Sequence, residues 1–443
     1  MGVSLRTPTG WYPVARAAEV GTTPLPVGAA GRAYVVVRLR PGGEVAAFPA
    51  RCPHRLVPLA AGSVVDGRLR CSYHGWRFDA EGRCVDIPSL GDAGTPPPRA
   101  DLAMPWAVEE RHGWVWLAPD RPTTPAPPRP TAPTVREPVP EPPALAGPVF
   151  GNLDPSLDHA WHPVALSREL RRDGWLQVRL MGRTWLLRRT ADGLETDPPA
   201  FGVRERFGVL WLAPAEPKDV PLELPEATDR HYLSGWLPPL RSPGPAGPVA
   251  DNFLDVAHIA HVHGATFGAE DRPEVPVYDV VPEPGGFRST QEQWCENPTD
   301  PEVARGGRPL RQRRRVTNVY RAPLSFRLSL EYLDTGATTT ILFLLQPEDA
   351  DSTRIYTCLF LSAGHGQPLP LPAAVAAEVA FHRRVLEEDL RLMGVLASAG
   401  LPLDVREELH VPADRLGVAL RRALCDFTRG DLASAGRARA PAA

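Results

Sequence analysis

The sequence is short of lysine, of cysteine and of long apolar runs. Lys218 is the only lysine among 49 basic residues, and the formal net charge of the 443-residue chain is −3. A nearly balanced charge gives no electrostatic preference for nucleic acid or for an anionic membrane surface. No apolar run approaches the length that crosses a bilayer. We therefore expect a protein with neither a nucleic-acid partner nor a membrane partner.

Six cysteines are too few and too scattered for a disulfide framework. Four of them are expected to be ordinary reduced thiols: Cys84, Cys295, Cys358 and Cys425. Residues 1–14 lack an apolar stretch suited to a signal peptide, so a cytoplasmic location is expected. No glycine-rich dinucleotide fingerprint follows a predicted strand, and we expect NAD(P)H and flavin to bind elsewhere, on a separate redox protein.

Two Cys-His pairs stand out: Cys52-Pro53-His54-Arg55 and Cys71-Ser72-Tyr73-His74-Gly75-Trp76. Two thiolates and two imidazoles suit a two-iron cluster in which histidines replace cysteines on one iron, which raises the reduction potential. Structural zinc takes the same donors, but a Cys-x-His start is unusual for zinc sites. The pattern predicts an electron-transfer site. In a chain this long, a second site is expected to use the electrons.

The surroundings of these pairs resemble the Rieske domain of ring-hydroxylating oxygenases. The resemblance runs from about residue 11 to residue 119 and includes Pro53, Arg55, Gly75 and Trp76. It implies a [2Fe-2S] cluster held by all four ligands: Cys52, His54, Cys71 and His74.

Three blocks of this first segment recur, in the same order, farther along the chain. Residues 161–165 echo 11–15, residues 182–187 echo 31–36, and residues 201–214 echo 106–119. The offset falls from about 150 residues to 95, so the second copy lacks about 55 residues, which include both ligand loops. We interpret it as a Rieske-like β-sheet without its cluster subdomain, with a structural or interface role. Chance similarity between β-rich segments is the alternative.

The predicted fold class is α+β, with four segments along the chain. They are a Rieske domain (1–119), a Pro-rich linker (120–149) that runs as an extended spacer, a degenerate Rieske-like β domain without cluster ligands (150–216) and a mononuclear-iron catalytic domain (217–443). Periodicity predicts strands over 33–39, 114–117, 324–332, 338–346 and 354–361, and helices over 373–396 and 413–425. The resemblance implies that the last domain is a helix-grip (START-like) fold.

A second motif reads Asn252-x2-Asp255-x2-His258-x4-His263. Non-haem iron that activates oxygen takes two histidines and one carboxylate. The motif resembles the mononuclear-iron motif of Rieske oxygenases, which implies His258 and His263 as ligands. Residues five apart lie about 140° apart on an ideal helix, so a bulge or a helix end near Gly264 must bring the two together.

The third ligand is sought in Glu387-Glu388-Asp389. Asp389 shares an apolar helical stripe with Leu386, whereas Glu388 is predicted to point almost opposite. A carboxylate on an apolar face is costly unless it binds a metal or a charge partner, so Asp389 is the predicted ligand. The position also matches the family's ligand motif. His382 lies on the same stripe and is interpreted as a core histidine.

The resemblance implies further roles for the motif. Asp255 is expected to bridge the iron histidine to a Rieske histidine of a neighbouring subunit, His74 or less favourably His54. Asn252 is expected near the iron. The group implied is the homotrimeric, vanillate-demethylase-like one, in which the cluster and the iron of one subunit are too far apart for fast electron transfer.

The expected function is that of a terminal oxygenase. Electrons from a ferredoxin or an NAD(P)H-dependent reductase are expected to support hydroxylation or demethylation, with O2, of a hydrophobic or aromatic small molecule. A ring cis-dihydroxylating dioxygenase is the alternative within the family, and a pure Rieske electron-transfer protein is the alternative outside it.

Overall fold

The computed structural model describes residues 9–130, 134–141, 144–264, 266–269, 271–364, 366–396 and 400–430. The chain divides into two compact units. Unit 1 comprises Met1–Ala146, Arg272–Val275 and Arg406–His410; unit 2 comprises Gly147–Asp271, Pro276–Val405 and Val411–Ala443. Within the described residues, no helix has the length and apolar character needed to span a membrane.

Unit 1 is built from antiparallel strands. They are β1 (Tyr12–Arg16), β2 (Leu25–Ala29), β3 (Arg32–Arg38), β4 (Val45–Pro49), β5 (Ser63–Val65), β6 (Arg68–Arg70), β7 (Arg77–Phe78), β8 (Cys84–Asp86), β9 (Ala107–Arg111) and β10 (Trp114–Ala118). Three sheets result, with the orders β1-β10-β9, β2-β3-β4 and β5-β6-β7-β8. Small and β-branched residues fill the core between the first two, for example Val14, Val36 and Val115. Cys71 and His74 lie in the connection between β6 and β7 of the small third sheet, and Cys52 and His54 lie in the segment between β4 and β5.

The Pro-rich segment lies along β2, where Gly28 forms a bridge with Glu137. A Cβ at Gly28 would stand 2.1 Å from the carbonyl oxygen of Pro138, so the close approach of the two backbones requires glycine here. The described part of this segment runs extended, as its composition predicts.

Unit 2 contains two groups of strands and all five helices of the described chain. The strands are β11 (Val149–Phe150), β12 (His162–Leu166), β13 (Trp175–Leu180), β14 (Arg183–Thr190), β15 (Gly193–Asp197), β16 (Gly202–Arg206), β17 (Val209–Ala213), β18 (Leu233–Trp236), β19 (Leu240–Pro243), β20 (Asp279–Glu283), β21 (Gly286–Glu296), β22 (Arg311–Arg321), β23 (Ser325–Tyr332), β24 (Thr338–Asp349), β25 (Ser352–Ser362) and β26 (Leu401–Pro402). The helices are α1 (Ala246–Leu254), α2 (Ile259–Val262), α3 (Pro301–Ala304), α4 (Pro372–Met393) and α5 (Arg415–Arg429).

The larger sheet has eight antiparallel strands in the order β18-β25-β24-β23-β22-β21-β20, with β19 also paired to β25. The long helix α4 packs against β18, β19 and β25. A Cβ at Gly235 of β18 would meet Val375 and Val379 of α4 within 2.9 Å, so glycine lets the helix approach the strand. Helix α4 begins with Pro372 at its first position and ends before Gly394. The predicted α+β class is confirmed.

Strands β12–β17 form two small sheets, β12-β17-β16 and β13-β14-β15. Apolar residues of the first of these sheets share one core cluster with one face of the eight-stranded sheet. In this cluster Leu166, Val209 and Trp211 of the sheet β12-β17-β16 join Leu342 and Tyr356 of the large sheet. This small sheet therefore buries apolar surface of β24 and β25 that would otherwise face water.

Candidate metal centres

His258 and His263 flank a single helical turn. Helix α1 ends at Leu254, and α2 begins after His258 and ends before His263. The carboxylate of Asp255 accepts hydrogen bonds from the backbone N–H groups of Ala257 at 2.7 Å and of His258 at 3.1 Å, which fixes the turn between the two helices. The interruption and the early helix end beside Gly264 turn both imidazoles to the same side, as the sequence predicts.

Asp389 of α4 completes a three-residue site. The Nε2 atoms of His258 and His263 are 3.1 Å apart, and Asp389 Oδ1 lies 3.4 Å from the first and 3.2 Å from the second. Among the described residues, this is the only set of three His, Cys, Asp or Glu ligand atoms that all lie within 4.8 Å of one another. Two imidazoles and one carboxylate that converge on one point fit the donor set of mononuclear non-haem iron.

The electrostatics of this site favour a bound cation. Burial opposes the charge of Asp389, but hydrogen bonds from His258 and His263 lower the pKa of its carboxyl to about 2. Burial alone would lower the pKa of His258, yet Asp255 and Asp389 raise it to about 10. Carboxylates on two sides of the imidazole thus stabilise positive charge at the point where the ligand atoms meet.

Glu388 belongs to the site, which corrects the sequence interpretation that its side chain points away. Its Oε2 lies 2.7 Å from Nδ1 of His263 and 3.0 Å from the hydroxyl of Thr266. The side chains of the adjacent residues Glu388 and Asp389 leave the helix about 100° apart. The ring of His263 lies between them, so Glu388 contacts its Nδ1 and Asp389 contacts its Nε2. A carboxylate on the far nitrogen fixes the tautomer and orientation of a ligating imidazole.

The other predicted residues lie nearby. Asp255 Oδ1 is 3.8 Å from Nδ1 of His258, and both side chains are buried. Asn252, also buried, lines the cavity beside the site. His382 lies seven residues, about two helical turns, before Asp389 and contacts Glu378 at 3.3 Å; it is not one of the three converging residues.

The two Cys-His pairs occupy loops of the same conformation. The N–H of Cys52 bonds to the carbonyl of Val57, and that of Cys71 to the carbonyl of Trp76. The fifth residue of each loop, Leu56 or Gly75, has a positive φ and returns a hydrogen bond to the carbonyl of the cysteine. Each loop therefore holds its cysteine at the same point of the same backbone turn, with the histidine third in the first loop and fourth in the second.

Within unit 1 the two thiols lie next to each other, and so do the two imidazoles. The thiols of Cys52 and Cys71 are hydrogen-bond neighbours, and the bond from Cys52 lowers the pKa of the Cys71 thiol to about 7 against the effect of burial. The rings of His54 and His74 are 4.3 Å apart. A pair of thiols beside a pair of imidazoles fits a two-iron cluster.

The segment Arg406–His410 belongs to unit 1 and packs on the first ligand loop. The N–H of Leu409 bonds to the carbonyl of Pro53 at 2.9 Å. Arg55 lies 2.9 Å from Nδ1 of His410 and 3.6 Å from Glu408. This segment thus supports the loop that carries Cys52 and His54.

A cavity of about 150 Å³ adjoins His258, His263 and Asp389. Its walls are mainly apolar and come from the inner face of the large sheet and from α4, for example Leu330, Phe343 and Phe381. An apolar cavity with a few polar groups beside a metal-type site is the usual form of a small-molecule binding site.

Comparisons with known proteins cover both halves of the chain. The family model of the Rieske [2Fe-2S] domain matches residues 10–97, and that of the vanillate O-demethylase oxygenase C-terminal domain matches residues 245–429. Protein TIC 55, chloroplastic, of Arabidopsis thaliana is 37% identical over 118 residues, which are 26% of this chain and 22% of that protein. The vanillate O-demethylase oxygenase subunit of Pseudomonas sp. strain HR199 is 37% identical over 109 residues, 25% of this chain and 29% of that protein. The chain thus matches less than a third of the length of either relative.

Among solved structures, NdmA of Pseudomonas putida CBB5 with caffeine aligns with 98% of this chain and 97% of its own, at 19% identity and a TM-score of 0.39.

Proposed function

We propose that this chain, which its two matched domains make a member of the Rieske oxygenases, is the terminal oxygenase of a multi-protein system and hydroxylates or demethylates a hydrophobic small molecule. The convergence of His258, His263 and Asp389 beside an apolar cavity carries this proposal. The match of residues 245–429 to the vanillate O-demethylase oxygenase C-terminal domain favours hydroxylation or demethylation over ring dihydroxylation.

His258, His263 and Asp389 would hold the mononuclear iron. Such an iron keeps open coordination positions and supplies oxygen activation when bound. The protein's own part is to fix the ligands: Glu388 orients the ring of His263, and the Asp255 turn orients His258. The surrounding apolar walls exclude water from the substrate.

Cys52, His54, Cys71 and His74 would hold the Rieske cluster. A [2Fe-2S] centre with two histidine ligands supplies one-electron transfer at a raised potential. The matching loops fix both Cys-His pairs, and Trp76 stacks on His54 with the ring planes 9° apart, which restrains that imidazole.

Asp255 would carry electrons between centres. Its carboxylate stands 3.8 Å from Nδ1 of His258, on the side away from the metal-type site. We propose that it also meets His74, or His54, of a neighbouring copy, which requires a homotrimer or another closed ring. Asn252 would line the iron's surroundings.

The electrons would come from a ferredoxin or an NAD(P)H-dependent reductase. We place the protein in the cytoplasm, where such donors work and where thiols stay reduced. The four cysteines outside the Cys-His pairs are all free and mostly buried, which agrees with a reducing compartment.

We further propose that β12–β17 are a Rieske-like scaffold without a cluster. They repeat the strand order of unit 1 and contain no cysteine. Their role would be structural, since they cover one face of the catalytic sheet.

The function is tested by Asp389→Ala, with Glu387→Ala as the matched control on the same helix. We expect Asp389→Ala to keep the Rieske absorption, to lose one iron per chain and to lose O2-dependent turnover in a substrate screen with a surrogate ferredoxin system. Glu387 is half-exposed and pairs with Arg383, so its variant should behave as wild type. Full iron content and turnover in Asp389→Ala would show that the proposed centre is wrong.

A further inference from the structure

The described chain contains three almost fully buried arginines, and their partners differ. Arg421 forms two hydrogen bonds with Asp251, at 2.7 and 3.0 Å, and Arg55 lies 3.6 Å from Glu408. Arg314 is only 6% exposed, yet among the described residues no carboxylate forms an ion pair with it. A guanidinium is always charged, and burying it without an anion is costly.

The neighbours of Arg314 are neutral. The amide oxygen of Gln293 accepts hydrogen bonds from Nε at 3.2 Å and Nη2 at 2.9 Å, in the amide orientation that satisfies both groups. Tyr332 is the cross-strand neighbour of Arg314 on β23, and burial raises the pKa of Tyr332 to about 12, so the phenol stays uncharged. These contacts orient the guanidinium without neutralising it.

Arg314 lines the cavity beside the metal-type site. Its cross-strand neighbours are Gln293 on β21 and Tyr332 on β23, which also line the cavity. The register of β22 separates it from Arg313 and Arg315, which form ion pairs with Glu292 on the other face. One arginine of three consecutive ones is thus turned inward.

The distance between the arginine and the metal-type site suits a one-ring molecule. The guanidinium carbon of Arg314 is 5.8 Å from the ring centre of Phe267, which is 5.1 Å from that of His263. The arginine therefore lies within about 11 Å of His263, and a cavity of about 150 Å³ is of the size that holds a benzene ring.

Two glutamates, Glu296 and Glu378, also line the cavity. Glu378 contacts His382 at 3.3 Å, and its hydrogen bond with His382 lowers the pKa of Glu378 against the effect of burial. Within the described residues neither glutamate forms an ion pair with Arg314, so the guanidinium is available to a ligand.

We propose that the substrate carries a carboxylate that binds Arg314, while its ring fills the apolar part of the cavity and the bond to be oxidised faces His258, His263 and Asp389. Arginine binds carboxylates with two parallel hydrogen bonds, which would fix the orientation of the ring. The inference rests on the proposed function for the identity of the reacting end, but the anion site stands on the arginine itself.

Calorimetric titration with two probes of the same shape tests the anion site. 4-Methoxybenzoate should bind the wild-type protein at least about tenfold more tightly than neutral 4-methoxybenzamide. Arg314→Gln should remove that preference. Arg314→Lys keeps the charge but cannot form two parallel hydrogen bonds with a carboxylate, so it should keep part of the preference. Arg313→Gln is the matched control on the outer face and should bind as wild type. Equal binding of the acid by wild type and Arg314→Gln, or no binding by wild type, would overturn the proposal.

Asp389→Ala separates this inference from the proposed function. The titration needs neither O2 nor electrons, so an acid anchored on Arg314 should still bind the variant that lacks the iron ligand. An acid that binds Arg314→Gln but not Asp389→Ala would be bound by the metal, which would contradict the anchoring role while leaving the oxygenase function intact.

Discussion

Two regions of the molecule share one strand arrangement and differ in a single insertion. The first β region comprises β1–β4, β9 and β10; the second β region comprises β12–β17. In each, the first strand pairs with the last, and the last pairs with the one before it. The pairing register of the first strand with the last shifts at the same point in both regions. The shift lies between Pro13 and Ala15 in β1 and between Pro163 and Ala165 in β12. Two segments that repeat even a bulge have the same backbone plan.

The correspondence extends to turns and side chains. Hairpin β2–β3 turns at Ala30-Gly31, and hairpin β13–β14 at Met181-Gly182, with positive φ at both residues in each case. The indole N–H of Trp116 bonds to the carbonyl of residue 111 and that of Trp211 to the carbonyl of residue 206, both at 3.1 Å.

The difference lies between the fourth and fifth strands. The first β region inserts β5–β8 there, with both Cys-His loops, whereas the second passes from β15 to β16 through a short turn, 198–201. The shared strand order therefore forms with or without the Cys-His loops. In the second β region, burial against β24 and β25 provides stabilisation.

The largest effect is expected from Cys71→Ser, which changes only the insertion β5–β8 that distinguishes the first β region from the second. A serine hydroxyl does not replace a thiolate as a cluster ligand, so the visible absorption and acid-labile sulfide of the Rieske centre should be lost. Iron at His258, His263 and Asp389 should remain. Cys84→Ser, another buried thiol of unit 1, is the control and should keep the cluster. A full cluster in Cys71→Ser would exclude the proposed ligand set.

The grouping of most candidate ligands could be predicted from the sequence because it depends on local spacing; Asp389, far along the chain, was predicted from the apolar stripe of α4 and the family motif. The two Cys-His loops are short, and the helix break between Leu254 and Ile259 follows from a histidine spacing that a straight helix cannot satisfy. The repeat was visible for the same reason, since its turns and tryptophans recur as sequence blocks.

Side-chain direction at longer range could not be predicted. The apolar stripe of α4 indicates the direction in which the Glu388 side chain leaves the helix. It does not indicate where His263 lies, because that residue is 125 residues away in sequence. Arg314 stands in a run of three arginines that resembles an exposed strand. Only the pairing register of β22 with β21 and β23 shows which of the three faces inward.

A smaller, pH-dependent effect is expected at Asp219 of unit 2. It occupies the position that Thr124 has after the first β region, and its carboxylate accepts a hydrogen bond from the N–H of Trp161 at 3.3 Å. Burial raises the pKa of Asp219 from 3.8 to about 6. The folded protein therefore binds this proton more tightly than the unfolded chain, and the resulting stabilisation is present below pH 3.8 and is lost as the pH rises through 6.

Asp219→Asn should remove this dependence. At pH 8 the variant should be more stable than wild type by about 1–2 kcal/mol, less than the full shift implies because the side chain is partly exposed. The difference should vanish near pH 4, as measured by urea unfolding at several pH values. Glu216→Gln, an exposed neighbour, should show no such trend. A constant difference at all pH values would mean that the titration of this carboxyl is not the cause.

The smallest effect is expected from a pair of alanine substitutions that compare the two hairpins directly. Gly31 and Gly182 have φ values of +68° and +72°, and a Cβ would meet nothing within 4 Å at the first and only ordinary contacts, Leu153 at 3.5 Å and Asp349 at 4.0 Å, at the second. Because both sites have room, the only penalty for Gly31→Ala and Gly182→Ala should be the strain of an alanine in the left-handed backbone conformation. Each substitution should lower the free energy of unfolding by about 1 kcal/mol. Gly21→Ala, where space is equally open and φ is not in the left-handed region, should not be destabilising. Thermal unfolding of the three variants measures the costs, and clearly unequal values for Gly31 and Gly182 would contradict the equivalence of the two turns.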